Sequence, residues 1–371
     1  SNSTVVLFAG MFVVGAAMFY TGLAQAIGEK VVHIFGTGEN SLMLGLMLVG
    51  TILSSVLSNT GTCACLMPVA LGICAASKNP ASRQLLPMAY ACGWGGIITL
   101  VGTPPNIIGS GALTAAGLPG FSFFEFAWIG IPLSAAGILY MLLIGKYLLP
   151  KAELDADQEI EQEIEATTHD KKKQVISGVI LLACVTVMAL NLKFISLEMT
   201  AIIGALVCVL TGCLTEKQAY SSIDWVTIFL FAGMMPVSTA MDKTGAGKLI
   251  ANWAVGLMGG EPTPLIVTIV LFSISCFLTQ FMSNTASAAL LCPIGIAIAK
   301  QLNADPKAVV MAIAVAASCA FATPVGTPPC TLVLGPGGYK FMDYVKCGTG
   351  LVLVCFVVSL IIIPMVWPFF P

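Results

Sequence analysis

Apolar runs separated by short polar breaks dominate the chain, and their lengths predict its helices. A helix that spans a bilayer needs about twenty apolar residues. Runs of that order lie at 5–28, 127–149, 174–191, 197–214, 225–241 and 347–367. Transmembrane β-strands would instead show alternating segments of about ten residues, which is not the pattern of these runs. The sequence therefore predicts an all-α, polytopic membrane protein.

Two further pairs of runs are shorter, and each pair flanks the same polar triplet. They lie at 41–57 and 62–77 around Ser58-Asn59-Thr60, and at 264–282 and 286–301 around Ser283-Asn284-Thr285. A short run does not cross the bilayer by itself. Each pair therefore predicts a re-entrant helical hairpin with the triplet at its tip.

Two other runs are interrupted by paired prolines. The run from 84 to 101 ends at Gly102-Thr103-Pro104-Pro105, and the run from 308 to 334 is interrupted by Gly326-Thr327-Pro328-Pro329. Consecutive prolines remove backbone donors and disfavour the helical conformation of the residue before them. Such a break survives at membrane depth only where it is buried in protein or lines a cavity. We therefore expect one discontinuous helix in each half of the chain.

These features recur at a nearly constant separation. Further matched pairs are Ser54 with Thr279, Pro68 with Pro293, Phe8-Ala9-Gly10 with Phe231-Ala232-Gly233, and Thr21-Gly22 with Thr244-Gly245. The displacement is almost the same for all pairs, including the triplets and the proline breaks. Because the displacement between matched residues changes so little over so long a separation, the sequence predicts one structural unit that occurs twice.

The repeat divides the chain into five segments. We expect the first helices of the two repeats within 1–40 and 174–260, the hairpin and broken helix of each repeat within 41–149 and 261–371, and a polar cytoplasmic linker at 150–173. The two runs at 174–214 have no counterpart before Val5. We therefore expect N-terminal helices of the first repeat to be missing from this chain.

Positively charged residues predict the orientation, because cytoplasmic loops are rich in Lys and Arg. With alternating helices, re-entrant hairpins and the 150–173 linker inside, eleven of the sixteen Lys and Arg residues are cytoplasmic. The first hairpin then enters from the cytoplasm and the second from outside. The two repeats are thus predicted to be inverted, in a protein of the plasma (inner) membrane.

Composition agrees with this assignment and narrows the function. The chain is 57% hydrophobic and 9% charged, with a mean hydropathy of +0.96, whereas soluble domains carry about 25% charged residues. The net charge of −2 offers no basic surface to nucleic acid. No intramembrane nucleophile, base or metal cluster is visible, so we expect no enzyme and no catalytic residue. Two occluding hairpins disfavour a channel.

The doubled motif offers ligands for both an anion and a cation. Each triplet supplies two hydroxyls and an amide, and each broken helix adds free N–H groups at one end and free carbonyls at the other. The N–H donors suit a carboxylate, and the carbonyl and amide oxygens suit a hard cation. A proton-coupled carrier usually needs an ionisable side chain inside the membrane, but Asp and Glu fall at helix ends or in loops. The sequence therefore favours Na⁺ as the coupling ion.

The residues also resemble the divalent anion/sodium symporters, which include the INDY-type di- and tricarboxylate carriers and belong to the wider ion transporter superfamily. The resemblance covers the whole chain. It rests on the paired Ser-Asn-Thr tips, the paired Gly-Thr-Pro-Pro breaks, and the stretch from Gly335 to Tyr339 ahead of a final Trp-Pro. It implies an elevator-type homodimer within membrane lipid, in which transport-domain halves at 41–149 and 261–371 carry the site past scaffold helices at 1–40 and 174–260.

The resemblance also implies ligands, position by position. A first Na⁺ site would use Ser54, Ser58, Asn59 and the Gly102 backbone, and a second would use Thr279, Asn284, the Gly326 backbone and the Met282 carbonyl. Substrate carboxylates would meet Ser58, Asn59, Thr60, Ser283, Asn284 and Thr285, with Thr103 and Thr327 nearby. One position departs from the family: Asn106 keeps the Asn that follows each Pro-Pro, but Cys330 replaces it in the second half.

The resulting hypothesis is Na⁺-coupled symport of small di- or tricarboxylates, of the succinate, malate, fumarate and citrate class. The symmetry of the halves predicts at least two Na⁺ sites. Two alternatives stay open. One is a carrier of the same architecture for another anion, such as sulfate, and the other is a sodium-independent anion exchanger.

Overall fold

The computed structural model describes residues 3–36, 38–150, 170–190, 195–246 and 263–369, and in addition 249, 252, 253 and 256. Within these ranges the chain is helical, with short turns between helices and no β-strand. The prediction of an all-α protein is confirmed. Most of the predicted 150–173 linker and parts of the 247–262 segment lie outside the described residues.

The helices follow the predicted order in both halves. The first half contains α1 (Ser3–Tyr20), α2 (Leu23–Phe35), α3 (Glu39–Ser54), α4 (Asn59–Ser77), α5 (Leu85–Gly95), α6 (Pro104–Ala115) and α7 (Ala127–Tyr140), which a π-helical turn (Met141–Gly145) extends to Leu148. The second half contains α8 (Lys171–Leu190), α9 (Leu197–Leu210), α10 (Glu216–Ser221), α11 (Trp225–Thr244), α12 (Pro264–Thr279), α13 (Asn284–Gln301), α14 (Pro306–Ala317), α15 (Pro328–Leu332) and α16 (Phe341–Val366).

The single helix predicted over 5–28 is wrong, because two helices occupy this stretch. α1 and α2 meet at Thr21-Gly22 with a bend of 59°. Gly22 has a φ of 73°, a left-handed conformation that glycine adopts readily and that ends a helix. The hydroxyl of Thr21 lies 2.9 Å from that of Ser177 on α8, which holds the bend against a neighbouring helix. The apolar pattern continues through the bend, so hydropathy did not reveal it.

Both predicted hairpins are present, and each triplet starts the second helix of its hairpin. Ser58 Oγ accepts a hydrogen bond from the Gly61 amide at 3.1 Å, and Ser283 Oγ accepts one from the Ala286 amide at 3.2 Å. Each Ser is therefore the N-cap of a helix, of α4 in the first half and α13 in the second. Capping explains why a small hydroxyl residue opens both triplets.

The proline pairs break helices as predicted. Thr103 and Thr327 are extended, with φ and ψ of −141° and 143° and of −141° and 135°, and each caps the helix that begins at the next Pro. Pro is favourable at the first helical position, where an amide would be free in any case. The chain ahead of each cap is irregular, over 99–103 in the first half and 318–327 in the second.

The two broken helices form the centre of the protein. All of α5 is buried, as is α14 from Ala308 to Ala317. Tyr90 on α5 donates to the Phe321 carbonyl in the second break at 2.9 Å, and their rings pack edge to face with centroids 5.3 Å apart. Tyr339 donates to the Ser82 carbonyl at 2.6 Å. These bonds join residues of one half to the other.

Ion pairs mark the two ends of the molecule, which α7 connects. At one end Arg83 pairs with Glu39 at 2.7 Å, and at the other Lys307 pairs with Glu125 at 2.7 Å. Trp367 Nε1 donates to the same Glu125 carboxylate at 3.0 Å. Burial alone would raise the pKa of Glu125, but the hydrogen bonds from Lys307 and its neighbours outweigh burial and hold that pKa below its usual value.

Apolar side chains cover the outside of α7, α8, α9 and α16. The exposed ones include Ile131, Leu139, Leu143, Val179, Leu182, Leu206, Leu210, Leu353, Val357 and Ile361. An apolar surface of this extent faces lipid rather than water. Among the described residues, four helices are long and apolar enough to cross a membrane, or five with the bent α1–α2 pair. α4 is one of them, so its length alone does not require a re-entrant hairpin.

Tyr90→Phe is expected to lower the free energy of unfolding by about 1–3 kcal/mol, the penalty for a buried carbonyl that loses its donor. Tyr90 is fully buried, so water cannot replace its hydroxyl at the Phe321 carbonyl. Thermal unfolding in detergent measures the effect as a lower Tm. Tyr220→Phe is the control, because Tyr220 is 58% exposed. A wild-type Tm for Tyr90→Phe would contradict a stabilising link between the halves.

Candidate functional site

The hairpin tips and helix breaks of both halves surround a cavity of about 780 Å³. Its volume is that of a small-molecule site. All the residues predicted to contact substrate line it: Ser58, Asn59, Thr60, Thr103, Ser283, Asn284, Thr285 and Thr327. The fold therefore brings both copies of the doubled motif to one place.

Helix α1 gives the cavity an apolar wall. Its lining residues are Phe8, Met11, Phe12, Gly15, Ala16, Phe19 and Tyr20, and of these Tyr20 alone carries a polar side-chain group. Aromatic rings and methyl groups offer no hydrogen bonds to replace those that a polar ligand loses on leaving water. Most polar contacts of a bound ligand therefore depend on the hydroxyls, amides and backbone of the tips and breaks.

The described lining of the cavity includes no Lys, Arg or His, and one acid, Asp224. Asp224 accepts hydrogen bonds from the amide and the hydroxyl of Thr227 and so caps α11. The Thr227 hydroxyl lies 3.5 Å from that of Thr285, which links α11 to the second triplet. Sequence reasoning placed Asp224 at a helix end and assigned it no role. It missed that the fold brings this helix end to the cavity.

Helices α4, α6 and α13 begin at the cavity. Their first residues, Asn59, Pro104 and Asn284, line it. The free N–H groups and the positive dipole end of a helix N-terminus favour an anion. Because the described lining holds no cationic side chain, these backbone groups are its main positive element.

In the first half, Asn59 points into a group of oxygens that we call the first oxygen cluster. The inward atom of its amide lies 2.7 Å from Ser54 Oγ and 3.1 Å from the carbonyl oxygens of Cys92 and Gly102. Ser54 Oγ also lies 2.7 Å from the Cys92 carbonyl. A hydroxyl and two carbonyls therefore converge on one amide atom.

The second oxygen cluster repeats this arrangement in the other half. The inward amide atom of Asn284 lies 2.8 Å from Thr279 Oγ1 and 3.1 Å from the carbonyl oxygens of Ala317 and Gly326. Thr279 Oγ1 lies 2.7 Å from the Ala317 carbonyl. Each member therefore has a counterpart in the first cluster at the displacement of the sequence repeat.

The amide of Asn59 has two ways to face its cluster. With Nδ2 inward, it donates to Ser54 Oγ and to both carbonyls. With Oδ1 inward, it accepts from the Ser54 hydroxyl and adds a fourth oxygen to the other three. Four neutral oxygens lying this close together are the kind of ligand that a hard cation takes. Asn284 has the same two orientations, so both clusters are candidate sites for a cation such as Na⁺.

The predicted Na⁺ ligands divide into two groups. Those in the clusters are Ser54, Asn59, Gly102, Thr279, Asn284 and Gly326. Two predicted ligands make other contacts: Ser58 Oγ accepts from the Gly61 amide, and Met282 lies in a hairpin turn, where its amide donates to the Leu278 carbonyl.

The carbonyls of Cys92 and Ala317 were missed by sequence reasoning. A backbone carbonyl leaves no mark in residue type, because every residue carries one. Their only signal in the sequence is that Cys92 and Ala317 are separated by the same displacement as Asn59 and Asn284.

A family model described as citrate transporter matches residues 1–288 and, separately, residues 187–370. The chain belongs to this family. An uncharacterized transporter of Haemophilus influenzae is 34% identical over 99% of this chain and 82% of that relative. The sodium-dependent dicarboxylate transporter SdcS of Staphylococcus saprophyticus is 25% identical over 99% of this chain and 77% of that relative.

Comparison with solved structures identifies a protein of similar fold. The crystal structure of the Alcanivorax borkumensis YdaH transporter covers 97% of this chain and 84% of its own, with a TM-score of 0.72 and 14% identity. At that identity the likeness concerns the fold alone. The resemblance to the divalent anion/sodium symporters is confirmed by the family match and by the sodium-dependent dicarboxylate transporters among the relatives. The protein is a transporter integral to the plasma membrane and not an enzyme.

Filling the cavity from α1 is expected to weaken binding without unfolding the protein. A Cβ added to Gly15 would meet Leu57 Cδ2 at 3.7 Å, an ordinary contact. Gly15→Leu therefore places its side chain in ligand space, where overlap costing roughly 1–3 kcal/mol weakens binding by about tenfold or more. The loss of thermal stabilisation by citrate or succinate measures this effect.

Gly72→Leu is the matched control for Gly15→Leu. Gly72 is an exposed helical glycine, and an added Cβ there would meet nothing within 4 Å. It is expected to keep wild-type stabilisation by the same anions. Equal stabilisation of both variants would exclude the cavity as the binding site.

Proposed function

We propose that the protein is a Na⁺-coupled symporter of small di- or tricarboxylates of the succinate, malate, fumarate and citrate class. The observation that carries this proposal is the pair of matched oxygen clusters beside one cavity, whose described lining holds no cationic side chain. The names of the family and of the staphylococcal relative, citrate transporter and sodium-dependent dicarboxylate transporter, support it.

A multivalent anion in this cavity needs more positive charge than its described lining provides. Moving an isolated carboxylate from water into a medium of low dielectric costs tens of kcal/mol in the Born limit. Each helix N-terminus offers only about half an elementary charge. A sodium ion in each oxygen cluster would add a full charge close to each triplet. Co-transported cations therefore supply the positive charge that a bound multivalent anion needs.

The triplet asparagines give a physical reason for coupling. When a cluster holds Na⁺, Oδ1 of Asn59 or Asn284 faces the ion, and Nδ2 of the same amide turns away from the carbonyls. Both asparagines line the cavity, so the released Nδ2 is free to donate to a substrate carboxylate. The cation and the anion then favour the same amide orientation. Each therefore raises the affinity for the other.

The remaining polar lining groups position the anion. Hydroxyls of Thr60 and Thr285 lie beside the asparagines in the triplets, and Thr103 and Thr327 stand at the helix breaks. These side chains and the free amides at the starts of α4 and α13 are all neutral donors, whereas α6 begins with two prolines and contributes only its dipole. They suit carboxylate oxygens spread over a molecule of succinate or citrate size.

The packing of α1 and α14 supports a division into a scaffold and a transport body, while α2 contacts both because it packs against α3 and α4 as well as against α1. α1 lies so close to α9 that a Cβ on Gly10 would come within 2.6 Å of the Ala201 backbone. α14 packs instead against α6, α12 and α13. The cavity lies where α1 and α11 face the hairpin tips, at the boundary of the two bodies. In the proposal, 41–149 and 261–371 move together as inverted repeats past 1–40 and 174–260, in a homodimer.

Proton coupling is the second candidate, and Asp224 favours it. This carboxylate lines the cavity and contacts Thr227, which neighbours the second triplet. Protonation of Asp224 would remove a negative charge from the space that receives the anion. A sulfate carrier and a sodium-independent exchanger complete the set of alternatives.

Thermal stabilisation by anions separates these candidates. Ligands that bind the folded state raise its stability by mass action, by about 2.7 kcal/mol at a hundredfold excess over Kd. We expect one dicarboxylate or citrate to raise Tm in Na⁺ but not in choline, and sulfate to leave Tm unchanged. Equal stabilisation in choline would refute sodium coupling. A sodium-independent rise that grows at low pH and vanishes in Asp224→Asn would establish the proton-coupled alternative.

Asn59→Ala and Asn284→Ala are each expected to raise the Na⁺ concentration for half-maximal uptake by about tenfold. Each removes a ligand oxygen from the Na⁺-bound cluster, a loss of roughly 1–3 kcal/mol. Uptake of labelled substrate into proteoliposomes at graded Na⁺ measures the change. Asn40→Ala is the control, because Asn40 accepts from Lys146 Nζ at the end of α7, away from the clusters. A normal sodium requirement in both triplet variants would rule out the clusters as Na⁺ sites.

A further inference from the structure

In each half a side-chain amide forms hydrogen bonds with the helix break, but the amide comes from a different element. In the first half, Asn106 Nδ2 donates to the carbonyls of Thr99 at 2.8 Å and Ile97 at 3.3 Å. Asn106 is fully buried in the first turn of α6. The first break is therefore closed by a residue of its own broken helix.

In the second half the corresponding residue is Cys330, and the amide comes from the hairpin. Gln280 Nε2 donates to the Cys319 carbonyl at 3.0 Å, and Gln280 Oε1 accepts from the Ala322 amide at 3.0 Å. Gln280 is 8% exposed. Its counterpart in the first repeat is Ser55, whose short side chain cannot span such a loop. The side-chain amide that bonds to the helix break thus belongs to the broken helix in the first half and to the hairpin in the second.

A difference of one residue accompanies this exchange. Matching residues of the two halves are the same number of residues apart from the triplets up to Cys92 and Ala317. Thr99 and Thr323 are one residue closer together in the sequence. The second break is therefore one residue shorter, and it lacks the 3₁₀ turn at 96–98. Asn106 binds a carbonyl of that turn, so the second break needs another partner.

The hydroxyl contacts of the two breaks have stayed alike. Thr99 donates to the Ser55 carbonyl, and Thr323 donates to the Gln280 carbonyl at 2.6 Å. Thr323 Oγ1 also accepts from the Gly326 amide at 3.2 Å. Gln280 therefore holds the second break through both its side chain and its backbone, up to the residue whose carbonyl enters the second oxygen cluster.

We infer that Gln280 is the positioning residue of the second oxygen cluster, an inference that rests on the proposed Na⁺ coupling. The Gly326 carbonyl lies 3.1 Å from the Asn284 amide in that cluster. Gln280 sets the path of the loop that delivers this carbonyl, and it is not among the described cavity-lining residues. The affinity of the second cluster thus depends on a contact between hairpin and break. In the first half the corresponding side-chain amide contact lies within the broken helix.

Gln280→Ser, which installs the residue of the first half, tests this inference against Gln84→Ser. Gln84 is also buried and also donates to a carbonyl, that of Glu39 at 3.1 Å, but it lies at the start of α5. We expect Gln280→Ser to raise the Na⁺ concentration for half-maximal uptake by about tenfold, the effect of losing buried hydrogen bonds. The maximal rate should stay within about twofold. Gln84→Ser should lower Tm and keep the wild-type sodium requirement.

Gln280→Met provides a second variant, because it keeps the side-chain volume while removing the side-chain hydrogen bonds to Cys319, Ala322 and Cys276. It should show the same rise in the sodium requirement if Gln280→Ser does not fold. A sodium requirement unchanged in both Gln280 variants, or raised equally in Gln84→Ser, would overturn the positioning role.

Failure of the proposed function would look different, because wild-type uptake would then be independent of Na⁺. The citrate concentration for half-maximal uptake would decide the positioning role in that case. A rise in the Gln280 variants alone would uphold a role at the site. Equal values in all three variants and the wild type would reject it.

Discussion

Backbone groups released at the two helix breaks must find partners inside the protein, because lipid offers none. Hydroxyl side chains meet much of this need. Ser54 and Thr279 of the hairpins donate to carbonyls near the ends of α5 and α14. In the opposite direction, Thr99 and Thr323 of the breaks donate to carbonyls of the hairpin turns. Hairpin and break therefore satisfy each other, and neither would be stable at membrane depth alone.

The groups that solve this structural problem also form the oxygen clusters. A carbonyl left unpaired in a buried site costs about 1–3 kcal/mol. The inward amide of Asn59 or Asn284 removes that cost when it donates, and a cation would remove it in the other amide orientation. Neither state leaves the carbonyls without a partner. The two states are then closer in free energy than if the clusters had no internal donor, which favours the reversible binding that a carrier needs.

Sequence reasoning predicted the features that residue type and spacing encode. The doubled triplets and proline pairs located both hairpins, both breaks and all the residues proposed to contact substrate, because each motif repeats at a nearly fixed displacement. It failed where the signal is geometric. The bend at Gly22 lies within a continuous apolar run, the Cys92 and Ala317 carbonyls have no residue signature, and Asp224 reaches the cavity only through the packing of α11. Motifs thus defined the site, and tertiary structure completed its lining.

The two halves are closely alike in the ligands of their oxygen clusters, but they differ in the contacts that hold their helix breaks. Thr103 and Thr327 have nearly the same backbone angles, and the two clusters have nearly the same distances. The second break is nevertheless shorter and is held by Gln280 from the hairpin, not by an amide of its own helix. Movement of either hairpin against its break would disturb its cluster, because each cluster combines side chains of the hairpin with carbonyls of the break. In the second half such movement would also break the Gln280 bonds, whereas the first break keeps its internal tie through Asn106. The two proposed ion sites, alike in their ligands, would therefore differ in what holds the loop that supplies the Gly102 or Gly326 carbonyl.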